Sequence, residues 1–258
     1  MLGLSNGIVY PAVLGESFTN AGYGVLDGTN DYVSIADANN LTPNNSGADR
    51  GFSISMWVYY KNTSNPARGE VLVSKHGVFS LGAYRYEYKI RSGYDQKPFM
   101  QVYGNDDVNI SQTFKLDLVP SHSTWYHLVW CWNLGTGTGD WKAFVNGEKQ
   151  THGDGATHSS AGTWAAVTNT PNTFLIGLDT PGTSNYSNIN VDEYAVFDDN
   201  VSDDDVASLY NSGDSGDASQ IDHIISYWKF EEGSGTSVAD EIGSNTATLV
   251  NGATFGTY

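Results

Sequence analysis

Apolar and polar residues alternate with a period of two along much of the chain, the pattern of half-buried strands. Phe52, Ile54, Met56 and Val58 fall on one face of the run 52–59. Further strand-like runs occupy residues 71–73, 84–90, 99–103 and 125–132. Residues 141–148 read as a strand entering a hairpin, with Asn146-Gly147 as its turn. Residues 174–177 and 189–197 complete a central set, and a weaker run at 8–10 is interrupted by Pro11. Helical spacing appears once: Val206, Leu209 and Tyr210 lie at i, i+3 and i+4 behind Ser202, which is placed as the N-cap with Asp205 three residues on. Asp203, Asp204 and Asp205 meet the positive end of that helix. Residues 214–219 are small and polar and read as a linker. Strands at this density with one short helix predict an all-β sandwich.

Composition narrows the partners. The chain has 258 residues, enough for one large β domain, and 29 of them are glycine, which suits many tight turns. Asp and Glu number 29 against 12 Lys and Arg, a formal charge of −17. Such a surface repels nucleic acid and anionic membrane and suits divalent cations. No run approaches the ~20 apolar residues of a bilayer span, so membrane insertion is not expected. The single cysteine, Cys131, lies in an apolar run and is read as a buried hydrophobe. Residues 1–7 carry no Lys or Arg, so no secretory signal is expected at the start.

Several segments agree in order with a known family. Leu26-Asp27-Gly28-Thr29-Asn30-Asp31-Tyr32-Val33 resembles its early strand, and Phe52-Ser53-Ile54-Ser55-Met56-Trp57-Val58 its Phe-Thr-Ile-Ser-x-Trp-Val. Trp125-Tyr126-His127-Leu128-Val129 resembles Trp-x-His-Val-Ala, Phe144-Val145-Asn146-Gly147 resembles Tyr-Val-Asn-Gly, and Val191-Asp192-Glu193-Tyr194-Ala195-Val196-Phe197 resembles Ile-Asp-Glu-Val-x-Ile-Tyr. The short helix after Val201-Ser202 also fits. The chain thus resembles the laminin-G-like, concanavalin A-like domains found in phage surface proteins and adhesins. The resemblance implies a two-sheet antiparallel jelly-roll sandwich with one short helix near 202–211. Residues 1–20 fall outside it and are expected to form an anchoring or assembly arm, with 21–258 as a single sandwich. The tail from Tyr227-Trp228-Lys229-Phe230-Glu231-Glu232 to Phe255 resembles the segment that usually opens such a domain. Residues 220–258 are therefore expected to supply strands usually found at the family's N-terminal end, in their own chain or in a neighbour, with Tyr258 near Ala21. Trp57 is read as packing among inward-facing neighbours. His127, at a strand edge, is read as bonded to a backbone group.

Catalytic chemistry is not expected. Retaining glycosidases hold two carboxyls about 5–5.5 Å apart, and hydrolases of the resembled fold carry them along one strand. Here Asp192 and Glu193 are adjacent, as are Glu231 and Glu232, which on a regular strand point to opposite faces. Nucleophile-elbow, zinc-protease and phosphate-loop motifs are absent from the sequence. The resemblance implies a structural calcium, with Asp192 as side-chain ligand, backbone oxygens near Asp27 and Gly28, and a carboxylate from Glu231 or Glu232; the other reading has Asp192 solvated or capping a turn. Tyr84, Tyr86 and Tyr88 share one face at period two and could stack a sugar or form an ordinary tyrosine ladder. Asp106, Asp107 and Asp179 lie in loop-like acidic stretches that could hold glycan hydroxyls or a second ion. The expected function is non-catalytic: a virion surface subunit (decoration, fibre or adhesin), made in the host cytoplasm, paired with other surface subunits or with its own copies, and able to bind glycan. The alternative is a soluble, extracellular carbohydrate-binding lectin, and a third reading is a glycoside hydrolase of this fold.

Overall fold

The period-two runs become two antiparallel sheets packed face to face. The structure, a computed structural model, describes residues 20–45, 48–61, 69–79, 83–133, 141–150, 159–160, 163–180 and 185–258. The expected arm at 1–20 therefore lies outside the described residues except for Asn20. The strands are β1 (Gly22–Val25), β2 (Tyr32–Ile35), β3 (Asn44–Asn45), β4 (Ala48–Asp49), β5 (Phe52–Tyr60), β6 (Val71–Phe79) and β7 (Ala83–Ser92). They continue as β8 (Pro98–Tyr103), β9 (Ile110–Lys115), β10 (Thr124–Trp132), β11 (Lys142–Val145), β12 (Glu148–Lys149) and β13 (Ser159–Ser160). After β14 (Phe174–Ile176) and β15 (Ile189–Phe197) come the helix α1 (Asp203–Tyr210) and then β16 (Ile224–Trp228), β17 (Ser237–Val238), β18 (Ala247–Val250) and β19 (Thr254–Thr257).

The first sheet is ordered β12-β11-β10-β5-β15-β1-β19, with β16 also on β15. The second is ordered β13-β9-β8-β7-β6-β14-β2-β18-β17, and β3 and β4 pair separately. This is the expected all-β sandwich. The tail enters both sheets of its own chain. In the first, Gly22 pairs with Thr257 and Val25 with Thr254. In the second, Tyr32 pairs with Val250 and Ile35 with Ala247. The Tyr258 amide donates to the Ala21 carbonyl at 3.4 Å.

Between the sheets lies a core that includes Phe52, Ile54, Met56, Val58, Leu128, Trp130, Ile90, Met100, Phe174 and Trp228. A smaller cluster covers the outer side of the first sheet, where Val206 and Leu209 of α1 meet Val129, Cys131, Phe144, Phe197 and Tyr227. The helix starts as its sequence predicts: the Ser202 side chain accepts from the Asp205 amide and the Asp205 side chain accepts from the Ser202 amide. Asn146 and Gly147 both have positive φ, 51° and 77°, the combination a two-residue hairpin turn needs. Trp57 differs from expectation. It sits on the outer face, stacked on Tyr210 of the helix at 5.8 Å. His127 bonds the Ser55 hydroxyl through Nε2 at 2.9 Å rather than a backbone group. Complete burial pushes its pKa down to about 3, so it stays neutral. The stretch read as a linker is also packed, with Ser215 buried.

Among the described residues, one ion pair is fully enclosed. Lys75 Nζ lies 2.7 Å from Glu87 Oε1, both side chains at 0% exposure, and 2.8 Å from Asp37 Oδ1. The Glu87 carboxylate also accepts from the Thr170 amide and hydroxyl and from the Thr42 hydroxyl. A buried charge survives only when its partners replace water this completely. The network ties the chain near residues 37–42 and 170 to β6 and β7.

Two outcomes follow from this packing. Replacing Lys75 with Met strands the Glu87 charge and should cost about 3–5 kcal/mol, read by urea unfolding; a loss within experimental error would show the network is not needed. Deleting residues 220–258 removes Tyr227, Trp228, Phe230, Val238 and Leu249, all buried. At about 1.5–3 kcal/mol each, these approach the ~5–15 kcal/mol by which domains are stable, so the truncated chain should aggregate or fail to melt cooperatively. A soluble truncation with an unchanged melting temperature would make the tail an appendage.

Candidate functional site

The outer face of the second sheet gathers aromatic and charged side chains from β6, β7, β8 and the loop after β14. Pleating sends Met100 and Val102 of β8 inward to the core and leaves Gln101 and Tyr103 outward. His76 of β6 stands opposite Tyr86 of β7, their rings nearly parallel at 6.1 Å. Tyr103 lies 5.1 Å from Tyr86, and Lys89 places its ammonium 5.6 Å from the Tyr103 ring centre. Asp179 binds this group together: Oδ1 is 2.7 Å from His76 Nε2, and Oδ2 accepts from Arg91 Nη1 at 3.1 Å. Burial alone would raise the Asp179 carboxyl, but His76, Lys89 and Arg91 hold it well below the usual carboxylate range. His76 and Tyr103 are nearly enclosed, while Tyr86, Lys89, Arg91 and Gln101 are half-buried. A rigid aromatic floor thus carries reachable donors and a fixed carboxylate acceptor.

The sequence-predicted binding residues divide here. Tyr86 and Asp179 meet through His76, and Asp106 joins them by accepting the Tyr86 amide at 2.7 Å and pairing with Arg85. Asp107 closes its own turn, accepting the Asn109 amide. Tyr88 is not on this face. It is buried in the core, where its hydroxyl donates to the Leu41 carbonyl at 2.6 Å. The side chain of Tyr84 and residues 181–184 lie outside the described residues. The reason for the broken stripe is a bulge. Lys75 pairs with Tyr88 and His76 with Tyr86, so β7 spends one residue more than β6 there, and Glu87 and Tyr88 both turn inward. His76, Lys89, Arg91 and Tyr103 were not singled out from the sequence. They come from three strands, and no local spacing joins them.

A second bulge overturns the argument from adjacent carboxylates. Asp192 pairs with Trp57 and Ala195 with Ser55, so β15 spends three residues where β5 spends two. Glu193 takes up the extra residue at φ 50°. Val191 and Tyr194 on either side point into the core. Asp192 and Glu193 therefore share the outer side instead of opposing faces. Asp192 Oδ2 accepts from Asn20 Nδ2 at 2.7 Å and from the Tyr258 hydroxyl at 2.9 Å; Glu193 Oε2 accepts from the Tyr227 hydroxyl. Burial, and for Glu193 the charge of Asp192, pushes both carboxyls well above the ordinary range.

The implied calcium set does not assemble. Asp27 Oδ1 accepts the Thr29 amide in an exposed turn, and Gly28 lies against Asn188. Glu232 accepts the Ala239 amide within the tail, and Glu231 the Ala21 amide. Asp192 Oδ1 and Asn20 Oδ1 are buried without partners among the described residues, but Asp192 Oδ2 is already held by two neutral donors. Calcium takes six to eight oxygens, and no group of three or more His, Cys, Asp or Glu suited to a metal occurs among the described residues.

The laminin-G-like sequence profile of the concanavalin A-like lectin/glucanases superfamily matches residues 27–207. No curated protein sequence matches the chain. Among solved structures, a proposed carbohydrate binding protein from Bacteroides ovatus superposes with a TM-score of 0.62 at 17% identity, over 93% of this chain and 60% of that one. A heptameric SAP-like pentraxin from Limulus polyphemus superposes with a TM-score of 0.53 at 11% identity, over 94% of this chain and 97% of that one. At these identities the likeness is one of fold. The chain spans 60% of the Bacteroides protein's length.

The buried carboxyl pair sets a pH dependence. With folded values raised, the native state holds more protons than the unfolded chain above the ordinary carboxylate range, so this contribution is full at low pH and is lost as pH rises through the folded values. The melting temperature should fall between about pH 5 and pH 9, and the combined Asp192→Asn and Glu193→Gln variant should lose most of that slope. A slope unchanged in the variant would contradict the assignment. Millimolar calcium should leave the melting temperature within a degree; a rise of several degrees abolished by Asp192→Asn would reveal an ion at that carboxylate.

Proposed function

The chain belongs to the concanavalin A-like lectin/glucanases superfamily, and on that premise we propose that it is a non-catalytic carbohydrate-binding module whose recognition face is the outer face of the second sheet. The observation that carries this reading is the cluster of Tyr86, Tyr103 and His76 rings with Lys89, Arg91 and Asp179 fixed around them. Sugars offer two surfaces, an apolar C–H face and a rim of hydroxyls. The half-buried Tyr86 ring, backed by His76 and Tyr103, matches the first, and paired donors and acceptors match the second. Arg91 and Lys89 bring donors, and the ionised Asp179 brings an acceptor of charge-assisted hydrogen bonds. Because Asp179 is already tied to His76 and Arg91, little ordering remains to be done when a ligand arrives. The carbohydrate-binding role proposed for the Bacteroides ovatus protein agrees with this reading, whereas no observation favours the particle-surface role.

Catalysis is not part of the proposal. Asp192 and Glu193 share a face, but they are 0% and 4% exposed and closed over by Asn20, Tyr258 and Tyr227. A sugar cannot reach them without displacing the tail.

Screening the full chain on a glycan array, followed by calorimetry on the best ligand, tests the proposal. Arg91→Ala and Tyr86→Ala should each weaken binding at least about tenfold, or 1.4 kcal/mol, with melting temperatures shifted by only a few degrees. Binding retained in both variants, or no binding to any glycan, would overturn it.

A further inference from the structure

A separate cavity of about 240 Å³ opens on the outer side of the first sheet, where the beginning of the described chain meets its end. Its lining includes Asn20, Trp57, Trp125, Asp214, Ser215 and Tyr258. Three of these are aromatic. Trp125 lies 5.7 Å from Tyr258 and 5.6 Å from Tyr23, and Trp57 is braced from behind by Tyr210. The rings are held by packing and do not depend on a ligand for their placement.

The polar side of the cavity is one-sided. Asn20 spends its amide nitrogen on Asp192 Oδ2 at 2.7 Å and on Ser215 Oγ at 3.0 Å. The Tyr258 hydroxyl is spent on Asp192 as well. What remains over on the lining itself is an acceptor: Asn20 Oδ1 has no partner among the described residues. Asp214 is exposed at the rim. Among the described residues, no Lys, Arg or His lines the cavity, in a chain whose net charge is −17. A ligand that fits must bring N–H donors and is favoured by positive charge. Aromatic faces attract a cation through their quadrupoles and also cover its alkyl part. This is the opposite of the second sheet's outer face, where Lys89 and Arg91 present donors.

We propose that this cavity is a binding site for a small organic ammonium ion, its nitrogen directed to the Asp214 carboxylate at the rim and its carbon chain against Trp57, Trp125 and Tyr258. The site is distinct from the carbohydrate face and does not depend on it. It is built from both ends of the described chain, so a bound cation also bridges the seam.

The test uses the full chain with n-butylammonium chloride as probe and n-butanol as its uncharged counterpart, at constant ionic strength. Tryptophan fluorescence reports on the cavity through Trp57 and Trp125, and ligand-observed NMR reads binding from the probe's own signals, including in the tryptophan variant. The expected result is a saturable response to n-butylammonium, at least tenfold weaker for n-butanol. Asp214→Asn, an exposed and conservative change, should weaken the ammonium response several-fold, and Trp125→Ala should abolish it. Equal responses to the two probes, the lack of a saturable response to n-butylammonium, or an unchanged response in Asp214→Asn would each overturn the proposal.

Discussion

The sandwich depends on one segment of chain completing both of its sheets. The early strands β1 and β2 sit in different sheets, and each finds one neighbour in the middle of the chain and the other in the tail. Without β18 and β19, both would become unpaired edges, with rows of amide and carbonyl groups open to solvent or to another chain. The tail also carries Trp228 and Phe230 into the core and Tyr227 into the outer cluster. Contacts spanning more than 200 residues, such as Ala21 with Tyr258, carry a high entropic cost of closure. They are offset by apolar burial on both sides of the first sheet.

That closure positions both the outer face of the second sheet and the cavity at the seam of the first. The order β7-β6-β14 in the second sheet brings His76, Lys89 and Arg91 beside the loop that holds Asp179. The seam of the first sheet buries Asp192 and Glu193 beneath the tail, and leaves a cavity with aromatic walls at the same place. The second sheet's outer face thus presents the cationic side chains of Lys89 and Arg91, whereas no Lys, Arg or His among the described residues lines the cavity at the seam. Electrostatics alone would send the two faces to different ligands.

The strands and the helix were legible because their signals are local. Alternation from Phe52 to Val58, the Ser202–Asp205 capping pair and the Asn146-Gly147 turn each appear in the structure where the sequence puts them. The bulges at Glu87 and at Glu193 were not legible. Neither needs a glycine: Glu193 adopts a positive φ as an ordinary residue, and the extra residue of β7 falls among Tyr86, Glu87 and Tyr88. A single inserted residue reverses every face assignment beyond it. That is why Tyr88 went to the core and why Asp192 and Glu193 came to lie side by side. The recognition face was only partly legible for a different reason. Tyr86, Asp106 and Asp179 stood out in composition, but their partners come from distant strands, and sequence spacing carries no record of which strands become neighbours.

The carbohydrate reading stands on where a glycan touches the protein. The most direct measurement is amide hydrogen exchange on the full chain, with and without the best ligand from a glycan array. The account predicts slowed exchange confined to Ala83–Ser92, Pro98–Tyr103 and the residues around Asp179. Slowed exchange centred on the seam of β1 and β19, or spread evenly over both sheets, would contradict it.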